Sequence, residues 1–492
     1  MARINTNVSS MIAQANLSRT NTDLGQRLQR LATGLRINKG GDDPAGLIIS
    51  ERLRSEMRGI GQAIANSERA SSVISTAEGA LAEVADLLNS IRALVVESAN
   101  TGGLSREEIE ANQLQIDSAI ESITRISNTA SFAGLQLLNG SLDYLTSGVP
   151  TSAINATKIH SVNFGSRSSI DVSVQVVSSA QTASLFLSGN TAGSPGALLS
   201  SVTLEVAGNN GVTTLSFVSG TSLSAVVAAV NMLSDTTGVS ASLVDAANQT
   251  SGLVFNSTKF GSDQFVSVRK VGQGGAFFNV ADAQGGSIVQ RDTGRDVTAI
   301  VNGAVAQGRG SNIAINAPTL SMELELDSVY AQTTGSVKEF TITGGGSLFQ
   351  LGGSVTTQQQ VNIGIGSMAA SSLGGTMLDG ARFFLESIKS GGENSLTKGM
   401  ASRASAILEN AITEVSVTRG RLGAFERNVL QTNMRSLQIG LENITSSESK
   451  IRDADFAAET AALTRSQILN QAGTSVLATA NSTSQNVLAL LQ

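Results

Sequence analysis

Apolar residues recur every three or four positions near the start of the chain. Val8, Met11 and Ala15 are spaced that way, and so are Leu24, Leu28, Leu31 and Leu35. This is the seam of an amphipathic helix. GGDDPAG (40–46) interrupts it. Asp42 and Asp43 are N-cap residue types, and Pro44 suits a first helical turn, so a second helix is expected from there. Its seam runs through Leu53, Met57, Ile60, Ile64, Ile74, Leu81, Leu88 and Val95, with weak positions at Ser67, Ser71 and Arg92. Such a run is far longer than an average globular helix. TGGL (101–104) ends it. A third helix is expected over 105–127, with Ile109, Ile116, Ile120 and Ile123 on one side.

The other end of the chain mirrors this. Ile407, Ala411, Val415, Leu422, Phe425 and Val429 form a stripe that shifts to Leu437, Leu441 and Ile444. SSESKIRDAD (446–455) is the break. The last helix carries Leu469, Ala472, Val476, Ala480, Thr483, Val487 and Leu490, and no charged residue occurs from Ser466 to Gln492. Between the two ends the period changes from helical to alternating. SVTLEVAGNNGVTTLSFV alternates on Val202, Leu204 and Val206 and turns at Asn209-Asn210-Gly211. A short amphipathic helix follows (Leu223, Val226, Val227, Val230, Leu233), with further strands at 253–256, 265–269 and 320–326. The expected fold is α+β and multidomain: long antiparallel helical coiled-coil arms from both termini, folded back on each other, with a β-rich variable insert.

Composition supports three zones. Residues 141–375 are rich in Gly, Ser, Thr and Val and poor in charge, while the flanks hold most of the Glu and Arg. The net charge of −6 offers no basic stripe for nucleic acid. There is no Cys, which excludes disulfides and thiolate metal sites. MARINTNVSSMIAQANLSRT lacks the apolar core of a secretory signal. The terminal stretch is too often interrupted by Asn, Gln, Ser and Thr to cross a membrane.

No catalytic constellation emerges. The single His, His160, lies in the loop-like INATKIHSVN and cannot complete an HExxH zinc site. No GxSxG elbow or GxxxxGK[ST] loop occurs. Asp42 and Asp43 read as helix caps rather than cation ligands. Glu107, Glu108 and Glu110 complement a helix dipole after Ser105. Arg27, Arg30 and Arg36 flank the first seam, either as solvated charges or as contacts to a neighbouring subunit. No enzyme activity, cofactor or metal is expected.

LATGLRINKGGDDPAGLIISERLRSEMRGIGQAIANSERASSVISTAEGALAEV (31–84) closely resembles the N-terminal domain of bacterial flagellins. RDADFAAETAALTRSQILNQAGTSVLATANSTSQNVLALLQ (452–492) resembles the flagellin C-terminus. The resemblance covers 1–140 and roughly 376–492, about half the chain. SVTLEVAGNNG, SLSAVVAAVN, TGVSASLV and DVTAIVNGAVAQGRGSNIAIN look like the insert motif of some flagellins and hook proteins. A hook–filament junction protein shares the overall plan, but NQAGTSVLATANSTSQNVLALLQ follows the filament subunit.

The resemblance implies a self-polymerising subunit of a hollow helical filament that gives swimming motility. It implies export, unfolded and without a cleaved signal, through the flagellar type III channel, and a secreted, extracellular location. It further implies tip assembly under a cap protein, a hook–filament junction partner and an export chaperone on the C-terminal arm. Residues 1–44 and 452–492 are expected to form an inner tube, 45–140 and 376–451 an outer tube, and 141–375 an exposed insert. Inner packing is assigned to Val8, Met11, Leu24, Leu28, Leu31 and Leu35 against Leu469, Val476, Val487 and Leu490. Outer packing falls to Leu53, Met57, Ile60, Ile64, Leu88, Ile120, Leu422, Phe425 and Val429. The segment read by a host toll-like receptor aligns with IRALVVESAN (91–100), matching at Arg92 and Leu94. The family's acidic residues there are replaced by Ala93 and Gln115, which weakens the expected recognition.

Overall fold

The first three long helices each start or stop where a capping residue or a glycine dictates. The computed structural model describes residues 6–187, 196–272, 274–275, 277–378 and 380–489, with side chains in the last helix as far as Thr483. Helix α1 (Val8–Thr33) is capped by Asn7, whose side chain accepts from Ser10 N, and ends on Gly34 in the left-handed conformation. Helix α2 (Pro44–Ser98) is 55 residues long. Asp43 Oδ1 accepts from Gly46 N at 2.9 Å and is its cap. Asp42 plays a different part from the one expected. It accepts from the backbone N–H groups of Asn38 and Lys39 and from Gln26, so it ties the preceding loop to α1. Helix α3 (Arg106–Thr129) opens with a reciprocal capping box between Ser105 and Glu108. The short helices are α4 (Leu223–Asn231), α5 (Ser234–Thr237) and α6 (Ser328–Gln332). At the C-terminal end lie α7 (Ala401–Phe425), α8 (Gln431–Arg452) and α9 (Phe456–Ala489).

The contacts divide the chain into two units: 1–72 with 349–360 and 423–492, and 73–348 with 361–422. In the first, α1 packs on α9 and the start of α2 faces α8. The register of α2 on α8 is antiparallel: Arg452 pairs with Glu51, Asn433 reaches Ser67, and Glu426 accepts from Ser71. One segment was unforeseen. Residues 349–360, expected in the exposed insert, lie on these helices. Phe349 packs on Phe425 with ring centroids 6.3 Å apart, and the Leu351 carbonyl accepts from Asn433 at 2.7 Å. Gly353 meets Gly59 so closely that a Cβ on Gly59 would stand 2.9 Å from the Gly353 carbonyl oxygen. Two glycines make that approach possible.

The second unit holds a helical part and a β part. Along α2 the buried residues are Val73, Ile74, Ala77, Leu81, Val84, Leu88, Ile91 and Val95. The expected weak position at Arg92 is filled by Ile91, and Arg92 is exposed. The seam keeps its 3–4 alternation, stepping three from Leu88 to Ile91 and four to Val95, where the expectation stepped four and then three.

The β part has an eight-stranded antiparallel sheet. Its spatial order is 144–147, 337–345, 170–178, 298–301, 304–309, 312–317, 320–326 and 154–162. Val172, Val174, Val176, Met322, Leu324 and Phe340 alternate into its core. Two four-stranded sheets and α4 enclose a second core around Leu204, Val226, Phe255 and Val268. The hairpin at 209–211 forms as expected between Val202–Ala207 and Val212–Phe217. Gly208 begins its loop because a Cβ there would meet the Thr237 carbonyl oxygen at 2.5 Å. His160 is not in a loop. It lies within the strand Ile154–Val162, whose alternation with LSMELEL outweighs the local Asn and Thr content.

Candidate assembly surface

The two terminal helices meet through leucines interleaved with small and polar side chains. On α1 one row of shielded positions is Ala13, Leu17, Thr20, Leu24, Arg27 and Leu31. On α9 one such row is Leu463, Ser466, Asn470, Gly473, Leu477 and Ala480. Both sets step by three and four, so each is one helix face. Gly473 admits Leu17: an added Cβ would lie 3.2 Å from the leucine methyl. Polar groups bridge the pair along its length. Asn7 donates to the Ala480 carbonyl at 2.9 Å, Ser10 to Asn481 at 2.8 Å, and Asn470 to Asn21.

Charge is concentrated at one point of this pair. Glu459 is 6% exposed and accepts from Arg27 Nη1 at 2.6 Å and Arg30 Nη1 at 3.0 Å. Burial works to raise its carboxyl, but the two guanidinium hydrogen bonds prevail and hold it below the usual carboxylate range. Asp23 is lowered likewise, first by the Ser466 hydroxyl donating at 2.6 Å and then, against burial, by Arg27. Arg27 and Arg30 are therefore engaged within the chain by Glu459, while each keeps part of its surface in solvent. Arg36 also stays within the chain, donating to the Ile451 carbonyl at 2.6 Å. Nothing in the spacing of the arginines announced this. The signal lay in Glu459, an acid inside an otherwise apolar-periodic helix face.

The larger apolar side chains lie on the outside of the pair. Met11, Ile12, Ile468, Leu469 and Val476 are each more than half exposed, and Val8 and Leu28 are 50% exposed. Within one chain, then, Val8, Met11 and Leu28 do not pack against Leu469 and Val476. Only Leu24, Leu31 and Leu35 of that expected set are shielded, and each by half. The intrachain seam uses one side of each helix and leaves the exposed bulky side chains, on the other side, unpartnered within the chain. Leu490 and the side chain of Val487 lie outside the described residues.

On the longer helices, Leu88, Ile120, Leu422 and Phe425 are buried, and Leu53, Met57, Ile60 and Ile64 are half-buried. Val429 is half-buried as well, beside a fully buried neighbour. A π turn at Glu426–Leu430 inserts one extra residue, so Leu430 is fully buried and Val429 only half. A straight α-helix would carry Val429, Thr432 and Ser436 onto the seam. The π turn carries Leu430, Met434, Leu437 and Leu441 there instead. Arg92 and Gln115 are exposed, and Leu94 is half-buried. Among the described residues no group of His, Asp and Glu could hold a metal ion. No described helix is long and apolar enough to cross a membrane.

Residues 4–143 match the bacterial flagellin N-terminal helical region, and 405–491 the bacterial flagellin C-terminal helical region. Residues 203–259 match the flagellin hook IN motif. B-type flagellin of Pseudomonas aeruginosa is 30% identical over 99% of both chains. The chain belongs to the flagellin family. Flagellin of Salmonella choleraesuis is 28% identical over 99% of both chains. Flagellin B of Helicobacter pylori is 29% identical over 100% of this chain and 99% of its own. Solved structures overlap more loosely. A hook-associated protein of Legionella pneumophila is 12% identical, covers 82% of this chain and 98% of its own, and has a TM-score of 0.30. Flagellins are structural proteins, not enzymes, and this chain is a flagellin-type subunit of the flagellar filament that serves motility.

Proposed function

We propose that the chain is exported unfolded by the flagellar type III system, added at the filament tip beneath a cap protein, and held there by neighbouring copies of itself. The observation that supports contact between copies is the unpartnered apolar face of the terminal helix pair, with Met11, Ile12, Ile468, Leu469 and Val476 exposed; export and tip addition are carried over from the family. Exposed apolar area of this kind is unfavourable in an isolated chain and is removed when copies stack. An isolated chain leaves these helices with too little burial to order them, so they fold on assembly. Val8, Met11 and Leu28 with Leu469, Val476, Val487 and Leu490 form the inner contacts between copies, and Leu24, Leu31 and Leu35 support them. Leu53, Met57, Ile60, Ile64, Leu88, Ile120, Leu422, Phe425 and Val429 belong to the outer layer.

Residues 1–44 and 452–492 make the inner tube, 45–140 and 376–451 the outer tube, and 141–375 the decoration, with 349–360 returning to the helices. The subunit is secreted, an export chaperone holds the C-terminal arm before transit, and the first copies rest on hook–filament junction proteins. Deleting 466–492 tests the reading: no filaments should appear by electron microscopy, and normal filaments would overturn it. A host toll-like receptor reads the face bearing Arg92, Leu94 and Gln115, and exposure of Arg92 and Gln115 favours that. Restoring a glutamate at Ala93 should raise the response of receptor-bearing cells to the monomer; an unchanged dose–response rejects it.

A further inference from the structure

His160 is the only histidine in the chain, and it occupies a β-bulge. Ser321 pairs with Ser161 and Met322 with Ile159, so His160 is the extra residue between them. A bulge frees a side chain from the pleat and re-aims it. The His160 carbonyl accepts from Gly364 N at 3.1 Å, on the segment returning from the sheets. Its ring nitrogen Nε2 lies 3.0 Å from Arg421 Nη2 on α7 and 3.3 Å from Glu323 Oε1 on the strand Leu320–Leu326. Three elements therefore converge on one residue where the eight-stranded sheet meets the helical stem.

One nitrogen cannot serve both side chains. Arg421 only donates, so Nε2 must be bare to accept from it. Glu323 only accepts, so Nε2 must carry a proton to reach it. We propose that His160 is a proton-operated selector: unprotonated it ties the sheet to α7 through Arg421, and protonated it pairs with Glu323 and releases Arg421. The swap exchanges a sheet-to-helix bond for one within the sheet, so acid loosens the insert from its stem.

The surrounding charges are consistent with this. Lys158, on the same strand, is engaged by Glu414 of α7 at 2.7 Å. Glu325, on the strand of Glu323, is held by Arg382. Asp143, just before the strand Tyr144–Ser147, adds a further carboxyl near the imidazole. Among the described groups facing the ring, only Arg421 and Glu323 are within hydrogen-bond reach of Nε2. Burial disfavours the Arg421 cation, and the Glu323 carboxylate offsets that only in part. A second positive charge 3.0 Å away gives Arg421 reason to leave.

The test uses the full chain. Because there is one histidine, the imidazole nitrogen-15 signal needs no assignment. At about pH 8 it should report a proton on Nδ1 and a bare Nε2. A proton on Nε2 there overturns the proposal. Amide exchange over 415–425, corrected for the intrinsic pH effect, should quicken about tenfold between about pH 8 and about pH 5.5. His160→Gln should keep the protection at the higher pH, since its Oε1 still accepts from Arg421, and should abolish the acid response. No acid response in the natural chain, or an equal one in H160Q, overturns it. Should H160Q fail to fold, the nitrogen-15 tautomer and the natural chain's exchange still decide.

Discussion

At Glu459 the terminal helix pair holds a nearly buried carboxylate between two guanidinium groups. The arginines keep part of their hydration, so the ion pairs contribute less than a fully buried pair. Glu459→Gln should cost about 1 kcal/mol, from two weakened charge-assisted hydrogen bonds. The pH dependence follows from the direction of the shift. The folded carboxyl lies below its ordinary range, so its stabilisation is present above that range and is lost as pH falls through the folded value. Asp23 is lowered too and acts in the same sense. Amide exchange across 456–470 in assembled polymer should therefore quicken in acid. E459Q should start with less protection near neutrality and lose less on acidification. An equal acid loss in E459Q would move the effect to other carboxylates.

The π turn between α7 and α8 shows what a helix does when its apolar spacing contains a step of five. From Phe425 to Leu430 the chain has one residue more than a seam allows, and the turn absorbs it so that both stretches keep their apolar side inward. Leu430→Ala should cost about 2–5 kcal/mol, as for other buried leucines. Val429→Ala, at a half-buried site, should cost under about 1 kcal/mol. Urea midpoints of the two variants check the register, and equal costs would contradict it. The helices themselves were legible, because seams, Asp43, Ser105 and TGGL each have a local physical cause. The β insert was legible where Val202–Ala207 and Leu320–Leu326 alternate. What stayed hidden depends on partners far along the chain. Residues 349–360 carry no helical signal, yet two glycines let them lie on α2. Glu459 looked like one more charge until Arg27 and Arg30 were beside it, and His160 looked like loop until its strand partner was known.

For the whole molecule the question is which apolar surface serves the chain and which serves its neighbours. Ile468 and Leu469 are exposed on α9, while Leu463 and Leu477 face α1. If the exposed pair is covered only by another copy, removing it leaves the isolated chain untouched and weakens the polymer. The double change Ile468→Ser with Leu469→Ser removes two large side chains from such a contact. Burial of one such side chain stabilises by about 1.5–3 kcal/mol, so the critical concentration for assembly should rise at least about tenfold. On the proposal that the terminal helices order only in the polymer, the unfolding midpoint of the unassembled chain should not move. Sedimentation of assembled material against free subunit gives the first quantity, and denaturation of the free subunit the second. Unchanged assembly with a destabilised monomer would place these residues in the chain's own core. Open-ended polymers amplify such a defect, because every copy contributes the same face to the next and no closed ring limits the number of weakened contacts.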